Sequence, residues 1–184
     1  MTSPRRAPAR LLLALAVAAL AAAMFFALPP ASAGPAPTCQ VEDADAPLER
    51  VERDMIEAIN VYRRERGRPD VAASPALRRA ALWKSQERAR GGPETHDDPF
   101  RRWDERLNDC GYDMPAEKGE NLAAFQGELP SDQEAVLILE AWKRSPAHDQ
   151  VLADPAYRVV GVARVRVPGA ARTFWTADFG SVAD

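Results

Sequence analysis

A chain of 184 residues, 46% hydrophobic and 28% charged, can build one globular domain and lacks the bias of a disordered chain. Its formal net charge is −3; removing a basic N-terminal segment would take away three of the 24 basic residues and none of the 27 acids, leaving about −6. Such a surface excludes nucleic acid as a partner, and argues against anionic lipid held by charge alone.

The N-terminus reads as an export signal over residues 1–33. Arg5, Arg6 and Arg10 precede an unbroken apolar run from Leu11 to Leu28, Pro29-Pro30 ends it, and Ala31-Ser32-Ala33 fits the small-x-small cleavage pattern before Gly34. The other reading is an uncleaved anchor, for which the run reaches only ~27 Å as a helix. Export would place Cys39 and Cys110 in an oxidising compartment, where a disulfide between them is expected; the alternative is two unpaired thiols.

Residues 34–47 form a Pro- and Ala-rich extended leader, and the domain proper spans 48–184. Leu48, Val51, Met55, Ile59 and Tyr62 recur at helical spacing, closed by Gly67 and Pro69. Ser74-Pro75 caps a second helix with Leu77, Ala80, Ala81 and Lys84 on one stripe, stopped at Gly91-Gly92-Pro93. Asp98-Pro99 predicts a third cap, ahead of a short helix presenting Phe100, Trp103 and Leu107. Glu117 to Gln126 reads as a strand. Ser131-Asp132-Gln133-Glu134 is a predicted capping box, opening a helix whose buried stripe is Val136, Leu139 and Trp142. Ser145-Pro146 breaks that helix and starts a short one, the Ser145 hydroxyl serving as its cap. The period then changes to two: Val160, Val162, Val165 and Val167, a turn at Pro168-Gly169, and a returning strand from Thr173 to Phe179. Helices followed by a hairpin indicate an α+β fold with an antiparallel sheet. No internal repeat, phosphate-cradling glycine loop, CxxC pair or HExxH motif is present.

The chemistry converges on Gly119-Glu120-Asn121-Leu122-Ala123. Glu120 leads into an apolar segment, and buried carboxylates are rare unless paired or ligating. The two histidines of the chain, His96 and His148, fall on either side of it. Two imidazoles and a carboxylate can ligate zinc with an open position for water; equally, they can form a structural polar network. Asn121 is expected to bond backbone beside the site. Trp103, Trp142 and Trp175 are read as core, and Asp178 as bonded to backbone or hydroxyl groups.

In order along the chain, Asn60-Val61-Tyr62-Arg63, Leu77 with Ala80-Ala81, His96, Gly111-Tyr112, Gly119-Glu120-Asn121-Leu122-Ala123, Trp142 to His148, Gly161-Val162 and Trp175 to Gly180 together resemble the CAP superfamily of cysteine-rich secretory, antigen 5 and pathogenesis-related 1 proteins, in its short secreted bacterial form. The resemblance implies an α-β-α sandwich, a small antiparallel sheet between helical layers. It also implies a shallow cleft lined by two histidines and two acids. His96, Glu120 and His148 match three of these; the fourth position, three residues after Trp142, is Ser145. Members are linked to divalent metals, to sterol or fatty-acid binding, and to cell-wall or host contacts.

The expected function is therefore a secreted, monomeric binding module for a cell-wall, lipid or surface-protein ligand, with a divalent metal such as zinc on His96, Glu120 and His148. A metal-assisted hydrolase using the same three residues, with Glu120 as ligand or base, is the alternative. A purely structural envelope protein is a third.

Overall fold

The computed structural model describes residues 39–184. The expected export signal therefore lies outside the described residues. Among those described, no helix is long and apolar enough to cross a membrane. The elements in order are α1 (Arg50–Glu65), β1 (Ala72–Ala73), α2 (Pro75–Ala89), α3 (Trp103–Asp109), β2 (Lys118–Gln126), α4 (Ser131–Arg144), α5 (Pro146–Leu152), β3 (Val159–Arg166) and β4 (Arg172–Gly180). The sheet has the order β1-β3-β4-β2, with β1 parallel to β3 and the other pairs antiparallel. The fold is α+β, with the sheet between helical layers. It departs from the expected antiparallel sheet in β1, a two-residue parallel strand too short to leave a periodic signal.

The alternation of β4 sorts the layers. Trp175, Ala177 and Phe179 join Val160 and Val162 in a core shared with Met55 and Ile59 of α1 and Ile138 and Trp142 of α4. The intervening Phe174, Thr176 and Asp178 point to the other face. There Arg88 of α2 lies over the Phe174 ring, and Ser85 of α2 bonds Thr176 at 2.9 Å. Gly161 sits so close to α2 that a Cβ on it would overlap the backbone of Leu77 and Arg78. At the C-terminal end of α1, the buried Arg63 donates to the carbonyls of Pro69, Leu152 and Tyr157, tying that helix to α5 and the start of β3.

Cys39 and Cys110 form a disulfide across 71 residues of chain. It fixes the leader to the end of α3, and further contacts hold the leader on α2: Gln86 donates to Glu42 O, and Arg78 to Ala44 O.

Four local expectations need correction. Asp98 does not cap α3, which begins later at Trp103 with Arg102 at its N-cap, and Phe100 stays 66% exposed. Ser131 is not a cap: Pro130 holds the N-cap of α4, and Glu134 turns inward to accept from Trp175 Nε1 at 2.6 Å and from Arg164 and Thr173. Val136 is 61% exposed, and the inner stripe of α4 is instead Ala135, Ile138, Leu139 and Trp142. Ser145 occupies the N-cap of α5 without a side-chain cap bond. The Ser74 cap is as expected, accepting from Leu77 N at 3.0 Å.

Candidate functional site

Glu120 lies on edge strand β2, on the α2 face of the sheet, with its side chain only 1% exposed. One carboxyl oxygen takes a 2.8 Å hydrogen bond from His96 Nδ1. A carboxylate accepts only, so Nδ1 carries the proton. The other oxygen pairs with Arg106 Nη2 of α3. Arg106 is fully buried. Burial opposes its charge, but Glu120, Asp178 and Asp98 together outweigh that and hold its pKa above the ordinary value.

Asp98 is the second hub. It accepts from Arg106 at 2.6 Å, Arg101 at 3.0 Å and Lys84 at 3.3 Å. Lys84 also holds Asp97 O, and Arg106 holds His96 O. The loop between α2 and α3, which carries His96, is thus fixed from below by buried cations. Three cationic side chains around one carboxylate offset the cost of burying each charge.

Asp178 is the third acid. It lies directly across from Glu120 in the β2–β4 register and is fully buried. Among the described residues, no donor serves either of its oxygens. The group it faces is another carboxyl, so a hydrogen bond between them requires a shared proton. Burial, reinforced by the Glu120 charge, pushes the Asp178 pKa well above the carboxylate range, against the opposing effect of Arg106. This differs from the expected bonding of Asp178 to backbone or hydroxyl groups.

His148 joins the site through its backbone. Successive strand residues face opposite sides, and Asn121, next to Glu120, points away toward α5, where its Nδ2 donates to His148 O at 3.1 Å. Asn121 thus bonds backbone beside the site, as expected. The His148 ring makes no hydrogen bond among the described residues. Burial, and then the nearby His96 charge, lower its pKa. The two imidazoles are within electrostatic reach of each other. Among the described residues Ser145 adds no side-chain bond to this cluster, and Asp149 is taken up by Tyr62 of α1 and by Arg66 just after it.

A divalent metal does not fit this arrangement. Both oxygens of Glu120 are committed, and one pairs with a cation that would repel the ion. Among the described residues, no three His, Cys, Asp or Glu side chains are grouped to hold a metal, so the expected ligand set of His96, Glu120 and His148 is not formed.

A different concavity lies on the other side of the sheet. Between α1 and α4 an open groove of about 400 Å³ is walled by Met55, Ala58, Val61, Ala135, Val136 and Leu139. Asp54, Glu65, Asp132 and Glu140 stand on its lips, with Lys143 and Tyr62 at one end.

The profile of CAP, the cysteine-rich secretory protein family, matches residues 56–179. The chain belongs to this family. Solved structures share the fold of this CAP domain. An outer surface protein of Borrelia burgdorferi superposes with TM-score 0.61 at 16% identity, over 72% of this chain and 92% of that one. An extracellular SCP-domain protein of Bacillus anthracis gives TM-score 0.57 at 22% identity, over 74% of this chain. A cysteine-rich secretory protein of Staphylococcus aureus gives 0.51 at 14%, also over 74%. The chain spans 45% and 40% of the last two, respectively. No curated protein matches.

In this CAP domain the sequence left Arg106 unnoticed and gave Asp98 and Asp178 other roles, a helix cap and a partner of backbone or hydroxyl groups. Asp178 had a usable signal: it is an acid at an inward phase of an otherwise apolar strand, which requires a buried partner. Arg106 and Asp98 had none, since each resembles a solvated charge until the fold closes over it.

Proposed function

We propose that this CAP domain is an exported binding module whose ligand seats in the α1/α4 groove. The groove carries the reading: six apolar side chains line an open cleft, and Val61 and Val136 on its wall remain 44% and 61% exposed. Apolar surface of that kind, rimmed by polar groups, is a mark of an interaction site. Export is supported by the sequence of residues 1–33 and by the Cys39–Cys110 disulfide, which suits an oxidising compartment.

The His96–Glu120 cluster supports a structural role better than the hydrolase alternative. Each oxygen of Glu120 already accepts a hydrogen bond, one from His96 and one from Arg106, and the Arg106 cation disfavours both a metal and a proton there.

The test is calorimetric titration of the exported protein with dodecyl maltoside below its micellar concentration. A saturable single site, lost in Val136→Glu, is expected. Binding that survives Val136→Glu, or no binding, would overturn the assignment.

A further inference from the structure

We infer that the partner of the α1/α4 groove is a basic amphipathic helix, an apolar stripe of about three turns with lysine or arginine at both ends. The inference rests on the groove being the binding surface, and adds what its lips select.

The two walls run side by side in the same direction. Arg50 and Asp54 near the start of α1 share a recess with Ser131 and Asp132 at the start of α4. Near their C-terminal ends, Lys143 Nζ of α4 lies 4.8 Å over the Tyr62 ring of α1. Acids therefore stand at both ends of the groove: Asp54 and Asp132 at one, Glu65 and Glu140 at the other. The one lining cation, Lys143, is paired with Glu140 at 2.6 Å. Arg50 reaches Asp54 at 3.4 Å, so the unpaired acids are one at each end. Glu65 and Asp132 have no salt bridge among the described residues.

This distribution decides between occupants. At ~1.5 Å per residue, Asp54 and Glu65 are about 16 Å apart along α1, and Asp132 and Glu140 about 12 Å apart along α4. A fatty carboxylate would meet repulsion at either end. A lipid with a single cationic head would satisfy one end and leave the other bare. A helix laid along the groove can insert apolar side chains between the walls and place a cation at each end, one stripe spanning about eight to eleven residues. The acidity of the whole chain adds steering toward a basic partner.

The experiment uses two labelled peptides of the same leucine-stripe helix, one with lysine at both ends and one with glutamate, read by fluorescence anisotropy. The lysine peptide should bind roughly tenfold tighter or better, and the gap should narrow as salt rises. Asp132→Lys with Glu140→Lys, both at the surface, should reverse the preference, while Val136→Glu should abolish binding of either peptide. Equal affinity for the two peptides, or a preference that survives the charge reversal, would overturn the inference while leaving the groove reading intact if dodecyl maltoside still binds. If neither peptide nor dodecyl maltoside binds, the groove reading falls and takes this inference with it.

Discussion

Glu120 and Asp178 face each other across adjacent antiparallel strands, two carboxyls buried on the same side of the sheet with Arg106 as their shared cation. Asp178 has no donor among the described residues and holds its proton to higher pH than a free aspartate. The folded state thus binds more protons than the unfolded chain between the ordinary aspartate value and the raised one. Stability should fall as pH rises through that window and level off above it. Asp178→Asn offers Glu120 a permanent donor. The variant should be more stable than wild type at pH 8, with a flatter profile, by urea denaturation across a pH series. A wild-type profile retained in Asp178→Asn would place the proton elsewhere.

Removing Arg106 should be among the costliest single changes. Arg106→Met leaves Glu120 without its buried cation and takes one of three cations from Asp98, a loss of about 3–5 kcal/mol in comparable cases. Adding Glu120→Gln should recover part of it, because the uncompensated charge is then gone. Chemical denaturation of the single and double variants reads both effects.

The buried cluster of Glu120, Arg106 and Asp178 is the part of the molecule least legible in the sequence. Helical periodicity placed α1 and α2, and strict alternation placed β3 and β4, because their apolar faces are continuous. The ordered motifs around Asn60, Glu120 and His148 indicated the family and the layers. The errors share one cause: a local pattern was overruled by a distant partner. Asp98 looked like a helix cap until Lys84, Arg101 and Arg106 drew it inside. Glu134 looked like half of a capping box, yet the Trp175 indole and Arg164 claim it. For the expected metal set of His96, Glu120 and His148, no grouping of three ligand side chains is found among the described residues, and Asn121, next to Glu120, turns to the α5 side of β2.

His148 offers a site-specific probe. Its folded pKa is lowered by burial and then by His96, so its ring resonances should titrate with a midpoint below the ordinary value of about 6.5. A depressed histidine contributes stability that is present above the unfolded value and lost as pH falls through the folded one. His148→Gln should therefore soften the acid side of the stability profile. Zinc should leave the wild-type His148 resonances unshifted; a stoichiometric zinc shift would restore the metal reading.

Reduction of the disulfide should loosen the leader and weaken the fold. In the chain-entropy treatment, a bridge closing 71 residues of chain stabilises by about 4 kcal/mol, an upper figure for real cases. Cys39→Ser with Cys110→Ser should lower the denaturation midpoint while preserving the helical circular-dichroism signal. Proteolysis of that variant should begin in residues 39–47, where the contacts of Glu42 and Ala44 with α2 are then the remaining tether.

The most direct test of where this CAP domain binds is an amide and methyl NMR map recorded while dodecyl maltoside is titrated in below its micellar concentration. Saturable shifts are expected at Ala58, Val61, Val136 and Leu139, with His96, Glu120 and His148 unmoved. Shifts centred on His96, Glu120 and His148, with the α1/α4 groove silent, would contradict that expectation.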